Sequence, residues 1–155
     1  MIKAKKDLGQ NFLVDQVALN KIFELINPKN TDHFLEIGPG KGALTKILAN
    51  RIGRLDAVEL DKDLLLSLKL INSENLYIHN ANILNFKITD ILGNEKLRIV
   101  GNLPYNILQT LCFGVLITLV NSKTCILCSK KNLVKGFLLN LTIKAMEEYL
   151  YLLNI

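Results

Sequence analysis

Two short stretches of this chain carry residue types that do chemistry at the tip of a strand. Glu36-Ile-Gly38-Pro-Gly40-Lys-Gly42 is a carboxylate followed by a glycine turn. Asn102-Leu103-Pro104-Tyr105 sets an amide, a proline and an aromatic ring within four positions. Glycines suit a backbone that turns sharply while a ligand approaches it closely. Glu59 follows about 20 residues later, the spacing at which a carboxylate ending the next strand accepts hydrogen bonds from ribose hydroxyls. Together they predict a nucleoside-bearing cofactor lying across the carboxyl ends of the strands. The spacing Gly38-x-Gly40-x-Gly42 departs from the G-x-G-x-x-G dinucleotide fingerprint. A phosphate-binding P-loop needs Gly-Lys followed by Ser or Thr, whereas here Gly42 follows Lys41. A glycine turn that serves the fold alone is the plainer alternative.

Glu-x-Gly-x-Gly-x-Gly at a strand end resembles the common pattern of S-adenosyl-L-methionine (SAM)-dependent methyltransferases. Asn102-Leu103-Pro104-Tyr105 resembles the Asn/Asp-Pro-Pro-Tyr tetrapeptide of enzymes that methylate exocyclic amino nitrogens. The residue types fit that task. An adenine N6 amine is conjugated with its ring, so its lone pair is a poor nucleophile. If the Asn102 side-chain oxygen and the Leu103 carbonyl each accept one N6 hydrogen, the nitrogen is drawn toward tetrahedral geometry. Its lone pair can then face a methyl donor. Pro104 fixes the backbone so that the preceding carbonyl faces the substrate. Tyr105 offers a face for the extruded base, a contact of about 1–3 kcal/mol. No metal is required. Alone, such a turn is common; its place after a strand and behind a glycine loop gives it weight.

The elements that must hold these residues are legible from periodicity. Val14 to Ile26 has apolar residues at helical spacing, with Asp15 as cap and Asn27-Pro28 as stop. His33 to Ile37 reads as a buried strand, Gly42 to Ile52 as a helix, Leu55 to Leu60 as a second strand and Asp61 to Leu70 as a helix. Leu76 to His79 and Leu97 to Val100 read as third and fourth strands. This alternation indicates parallel βαβ units, an α/β doubly wound sheet with a Rossmann-like methyltransferase fold.

Composition bounds the remaining classes. The 155 residues fit one domain, and 50% hydrophobic with 21% charged residues excludes a disordered tail protein. A net charge of +5 suits a polyanionic partner such as RNA, as it does many proteins of other function. The three cysteines lie in the last third. Cys125-Ile-Leu-Cys128 has metal-like spacing, but Cys112 is the only other thiol and His33 and His79 are far upstream, so no metal site is expected. The amino terminus lacks the apolar core of a signal peptide. Leu108 to Val120 is too short to span a bilayer. Asn140-Leu-Thr142 matches a glycosylation acceptor without any sign of secretion. A cytoplasmic protein without membrane association is expected.

Lys6-Asp-Leu-Gly9-Gln10-Asn11-Phe12-Leu13 is similar to the Gly-Gln-Asn-Phe-Leu motif of the ribosomal RNA adenine N6-dimethyltransferases. Members of that family continue with an Asn-Pro turn, Glu-Ile-Gly-Pro-Gly, a Glu-Leu-Asp segment and Gly-Asn-Leu-Pro-Tyr, the order found here from Leu8 to Ile107. The resemblance implies SAM-dependent dimethylation of two adjacent adenines in the 3′-terminal hairpin of small-subunit (16S) ribosomal RNA, during ribosome maturation. It implies the pre-30S ribosomal subunit as partner and a monomer as working form. By position, it places Asn11 and Leu13 over the cofactor beside Gly38 and Gly40, Glu59 on the ribose, and Asn102 at the target amine. Asn82 falls where the family has an Asp contacting the SAM adenine amine. An amide oxygen can accept that bond without the charge, at a loss of roughly 1 kcal/mol.

The motifs end at Ile107. Residues 1–107 therefore read as the SAM-binding core and 108–155 as a divergent tail, too short to complete the sheet and supply the family's helical carboxyl-terminal domain. A shifted reading frame would account for this. Leu111-Cys-Phe-Gly114 can be encoded so that moving two bases along gives Leu-Phe-Trp, which the family often carries there. Moving Lys144 to Tyr151 by the same offset can give a Tyr-Gly-Arg-containing segment of the same family. On that expectation the tail's cysteines and lysines carry no functional argument, and an open sheet edge would remain. The alternatives are a catalytically inactive remnant that at most binds SAM or RNA, and a DNA adenine methyltransferase, against which the Gly-Gln-Asn-Phe-Leu motif speaks.

Overall fold

A computed structural model of the protein describes residues 16–92, 97–103 and 124–128. Helix α1 (Gln16–Ile26) ends at Asn27, which adopts φ 43° and donates its N–H to the Phe23 carbonyl at 3.0 Å. An asparagine tolerates this left-handed turn, and Pro28 behind it cannot extend the helix. Asp15, the expected cap, lies outside the described residues. Strand β1 (His33–Ile37) is buried at every position, as a central strand covered on both faces must be. Helix α2 (Ala43–Ala49) follows, then β2 (Arg54–Glu59). Helix α3 (Lys62–Lys69) is capped by Asp61, whose carboxylate accepts from the Asp63 N–H at 3.1 Å. Strand β3 (Leu76–Asn80) leads into two short 3₁₀ turns, Ile83–Asn85 and Ile88–Asp90. Strand β4 (Leu97–Asn102) returns to the centre of the sheet.

The sheet is parallel with order β3-β2-β1-β4-β5. The fifth strand, β5 (Thr124–Cys128), pairs with β4 and falls in the stretch where the sequence reading drew no element. Its Thr-Cys-Ile-Leu-Cys run is short, apolar and partly β-branched, which fits a covered strand.

Strand alternation sorts the core into two layers. Phe34, Leu55 and Val100 pack with Leu19, Ile22 and Ile26 of α1 and Leu44 and Leu48 of α2. On the other face Leu35, Ile37, Val58 and Ile99 pack with Ile83, Ile88 and Ile91 from the 3₁₀ turns. Arg98, at the start of β4, bonds Asp32 and the Ile26 carbonyl and lies over the Phe34 ring at 4.5 Å. This ties the end of α1 to the sheet. Successive strands are added outward on one side of β1 and then on the other, so the direction of winding reverses between β1 and β4. In such sheets that switch point, at the carboxyl ends of the strands, is where ligands bind.

Candidate functional site

The register brings the carboxyl ends of the strands into line. Ile37 pairs with Val58 on one side and with Gly101 on the other, and Glu59 pairs with Asn80. Gly38, leaving β1, has φ 65° and donates its N–H to the Val58 carbonyl at 3.0 Å. A side chain there would be strained, and its Cβ would press on Leu103 Cδ2 at 3.3 Å. The turn after β1 and the turn after β4 thus touch across the switch point. Gly101 makes this closeness feasible: a Cβ on it would lie 2.6 Å from the Ile37 carbonyl oxygen.

Glu59 is buried at the tip of β2. Its Oε2 accepts from the Gly40 N–H at 3.0 Å and its Oε1 from the Asp61 N–H at 2.9 Å. The carboxylate is therefore fixed against the glycine turn. Each oxygen keeps a second lone pair for a ligand hydroxyl. Asn80 Nδ2 donates to the Glu59 and Leu60 carbonyls at 2.9 and 3.2 Å, steadying the same corner. Asn82 caps the first 3₁₀ turn, with Oδ1 accepting from the Leu84 N–H at 3.0 Å. Leu60 and Leu84, next to these polar groups in sequence, are exposed apolar side chains at the same rim. Asn102 ends β4, half-buried, and the Leu103 side chain is buried with Leu35 and Ile37. Thus Gly38, Gly40, Glu59, Asn82, Asn102 and Leu103 stand along one end of the sheet. Asn11, Leu13, Pro104 and Tyr105 lie outside the described residues.

The motif reading included Glu36 without giving it a role. Its side chain is buried in β1, two residues before Gly38, and its Oε2 has no hydrogen-bond partner among the described residues. Burial pushes its carboxyl up to about 7; the nearby Thr45 hydroxyl opposes this, and the negative charge of Glu59 adds to it. Thr45 Oγ1 is itself buried and falls short of regular hydrogen-bond geometry. The available signal was a single carboxylate inside a strand that is apolar after His33. An orphaned acceptor under a glycine turn, with an anchored carboxylate beside it, fits a cofactor that brings cationic groups and ribose hydroxyls. No cluster of metal-ligating side chains occurs among the described residues. No helix among them is long and apolar enough to cross a membrane.

Fold and site together define the class as a Rossmann-like SAM-dependent methyltransferase fold. Similar solved structures include the 23S rRNA methyltransferase ErmE, with TM-score 0.67 and 30% identity over 77% of this chain and 48% of that one. A dimethyladenosine transferase from Plasmodium falciparum matches with TM-score 0.67 at 24% identity, over 79% of this chain and 44% of that one. An RNA methyltransferase from Salinibacter ruber, solved with S-adenosyl-L-homocysteine, matches at TM-score 0.62 and 18% identity over 76% of each chain. The latter two likenesses speak for the fold alone.

The sequence profile described as Ribosomal RNA adenine dimethylase matches residues 1–140, and the chain belongs to that family. The match runs past Ile107, where the recognisable motifs stop. Ribosomal RNA small subunit methyltransferase A of Geobacter metallireducens is 45% identical over 96 residues, 61% of this chain and 35% of that protein. Its counterpart in Marinobacter nauticus is 45% identical over 99 residues, 63% of this chain and 36% of that protein. The chain thus spans about a third of the length of the curated relatives it matches.

Proposed function

We propose that this chain carries the cofactor-binding and base-capturing part of a SAM-dependent adenine-N6 dimethyltransferase of small-subunit ribosomal RNA. One observation carries the reading: Gly38 and Leu103 leave adjacent parallel strands at the same end and stand within contact distance of each other. A donor on the first turn and an amine at the second would then be neighbours. SAM supplies a methyl group on a positively charged sulfur.

The residues divide the remaining work. Glu59, held by the Gly40 and Asp61 N–H groups, accepts the ribose hydroxyls. Asn82 accepts the adenine amine of the cofactor with the lone pair its cap leaves unused. Asn11 and Leu13 cover the cofactor, as the family resemblance implies. Asn102 and the Leu103 carbonyl hold the target amine so that its lone pair faces the donor, Pro104 sets that carbonyl, and Tyr105 stacks on the base. The finer assignment follows the family: adjacent adenines in the 3′-terminal 16S hairpin, on the pre-30S particle, by a monomer in the cytoplasm during ribosome maturation. The same family membership speaks against DNA as substrate.

The test is methyl transfer from labelled SAM to undermethylated small ribosomal subunits, with duplex DNA as competitor substrate. Transfer to the subunits, lost in Asn102→Ala while SAM affinity stays within about twofold, is the expected result. Turnover intact in Asn102→Ala would remove the base-capture role. A chain that binds SAM but transfers to neither substrate marks the second reading, an inactive relative, which the missing charge at Asn82 favours.

A further inference from the structure

We propose that Glu36 couples cofactor binding to a proton: it is neutral in the free protein and releases its proton to solvent when a ligand bearing a cationic group settles on the glycine turn. This inference rests on the SAM reading above and deepens it. Its structural basis is a carboxyl oxygen shut away from solvent and without a hydrogen-bond partner among the described residues, the nearby Thr45 hydroxyl falling short of regular geometry. A buried carboxylate left without a donor is costly, so such a group holds its proton to higher pH than a free carboxyl does, and a positive charge beside it favours release.

Among the described residues no cation acts on this carboxyl. By strand alternation Glu36 shares its face of the sheet with Glu59 on β2 and Arg98 on β4. Glu59 has the same sign. Arg98 is taken by Asp32 and the Ile26 carbonyl toward the amino-terminal end of the strands. From α2 the buried Thr45 faces it, while Lys46 of that helix, Lys41 of the turn, and Lys21 and Glu24 of α1 are solvent-exposed. Asp61, at the head of α3, holds the Asp63 N–H. Arg98 keeps a buried Nε without a partner among the described residues, but the charge that acts on the Glu36 carboxyl is the negative one of Glu59. A cationic ligand two residues away on the turn would reverse the local field, and the carboxyl would ionise. The proton passes from the Glu36 carboxyl to water, and no bond to the ligand is made or broken.

The measurement is calorimetric titration of the full chain with SAM at pH 6.5 in two buffers of different ionisation enthalpy, which yields protons released per ligand bound. With a carboxyl raised to about 7, mostly protonated at pH 6.5, release of the larger part of a proton per SAM is expected. Glu36→Gln should bind SAM and release almost none, and Glu36→Asp should restore release. 5′-Methylthioadenosine has the nucleoside but no cationic group, and it should bind to the native chain without release. SAM binding with no proton released, or equal release by Glu36→Gln, overturns the proposal and leaves the SAM reading standing. Equal release with 5′-methylthioadenosine overturns it as well. Absence of any SAM binding by the folded chain sinks both.

Discussion

Glu36 and Asp56 are buried carboxylates on neighbouring strands, facing opposite sides of the sheet, and the fold treats them in opposite ways. Asp56 gathers donors. His33 Nε2 lies 2.7 Å from Oδ2, Arg54 Nε 2.8 Å from the same oxygen, and His79 Nε2 2.6 Å from Oδ1. Arg54 lies over the Tyr77 ring at 4.7 Å and His79 packs against Phe86, so aromatic rings flank the cluster. Burial alone raises the Asp56 carboxyl, but the bonds from His33, Arg54 and His79 outweigh it and hold it at about 2. Glu36 has no such company and sits at about 7. A buried charge furnished with partners serves the fold. One without a partner among the described residues, beneath the glycine turn, is a candidate for a role in ligand binding.

The hardest test of that contrast is Asp56→Asn, with the largest expected effect. It leaves the buried His33 and its neighbours without their anion and should cost about 3–5 kcal/mol in denaturant unfolding at pH 7. SAM affinity of the remaining folded protein should be nearly unchanged, because the cluster lies away from the strand tips. An unfolding free energy within 1 kcal/mol of the native chain's would mean that the cluster does not hold the sheet. The pH dependence has a definite sign. The Asp56 carboxyl is depressed from 3.8 to about 2, so its stabilisation is present above about pH 4 and is lost as pH falls through 2.

Glu36 should do the reverse. Its carboxyl is raised from 4.5 to about 7, so between those values the folded chain holds a proton that the unfolded chain has lost. Stability should therefore decline from pH 4.5 to 7 and level off above, by about 3 kcal/mol in all. Glu36→Gln should flatten this slope and be the more stable protein at pH 8, as melts at pH 5 and pH 8 will reveal. A native chain equally stable at both values would place Glu36 with Asp56 among the satisfied carboxylates.

What could be read in advance follows the reach of each signal. Strands β1 to β4 and the helices between them declare themselves by local periodicity, and Gly38, Glu59 and Asn102 by fixed spacing. The Asp56 cluster does not, because His33, Arg54, Asp56 and His79 are joined by register between three strands and no motif links them in sequence. Arg98 likewise meets Asp32 only once β4 returns beside β1. Strand β5 was hidden because its run is as short as many buried loop segments, and only pairing with β4 makes it a strand. The orphaned state of Glu36 depends on what surrounds it, which no spacing encodes.

Glu59 stands between the two extremes, since it is anchored by the backbone and yet keeps lone pairs at the strand tip for the proposed ribose. Glu59→Ala should weaken SAM binding by about 2 kcal/mol, roughly thirtyfold. Glu59→Gln, which keeps an oxygen for one anchor, should lose less. If both variants bound SAM as tightly as the native chain, the ribose would have to lie elsewhere, and Glu59 would belong with Asp56 as a structural carboxylate.

The smallest effect is expected at Asn82, where the charge can be put back. Its single side-chain oxygen already accepts the Leu84 N–H. A carboxylate has two oxygens, so Asn82→Asp can keep the cap on one and offer a charged acceptor on the other. Asp and Asn are about equal as caps, so the melting temperature without ligand should hardly move. SAM affinity should rise by about 1 kcal/mol, roughly fivefold, because a hydrogen bond to a charged acceptor exceeds a neutral one by that much. A gain in affinity with unchanged stability locates the cofactor's amine at this corner. Unchanged affinity would mean that the first 3₁₀ turn is only a cap, and that recognition of the nucleoside rests on Glu59 alone.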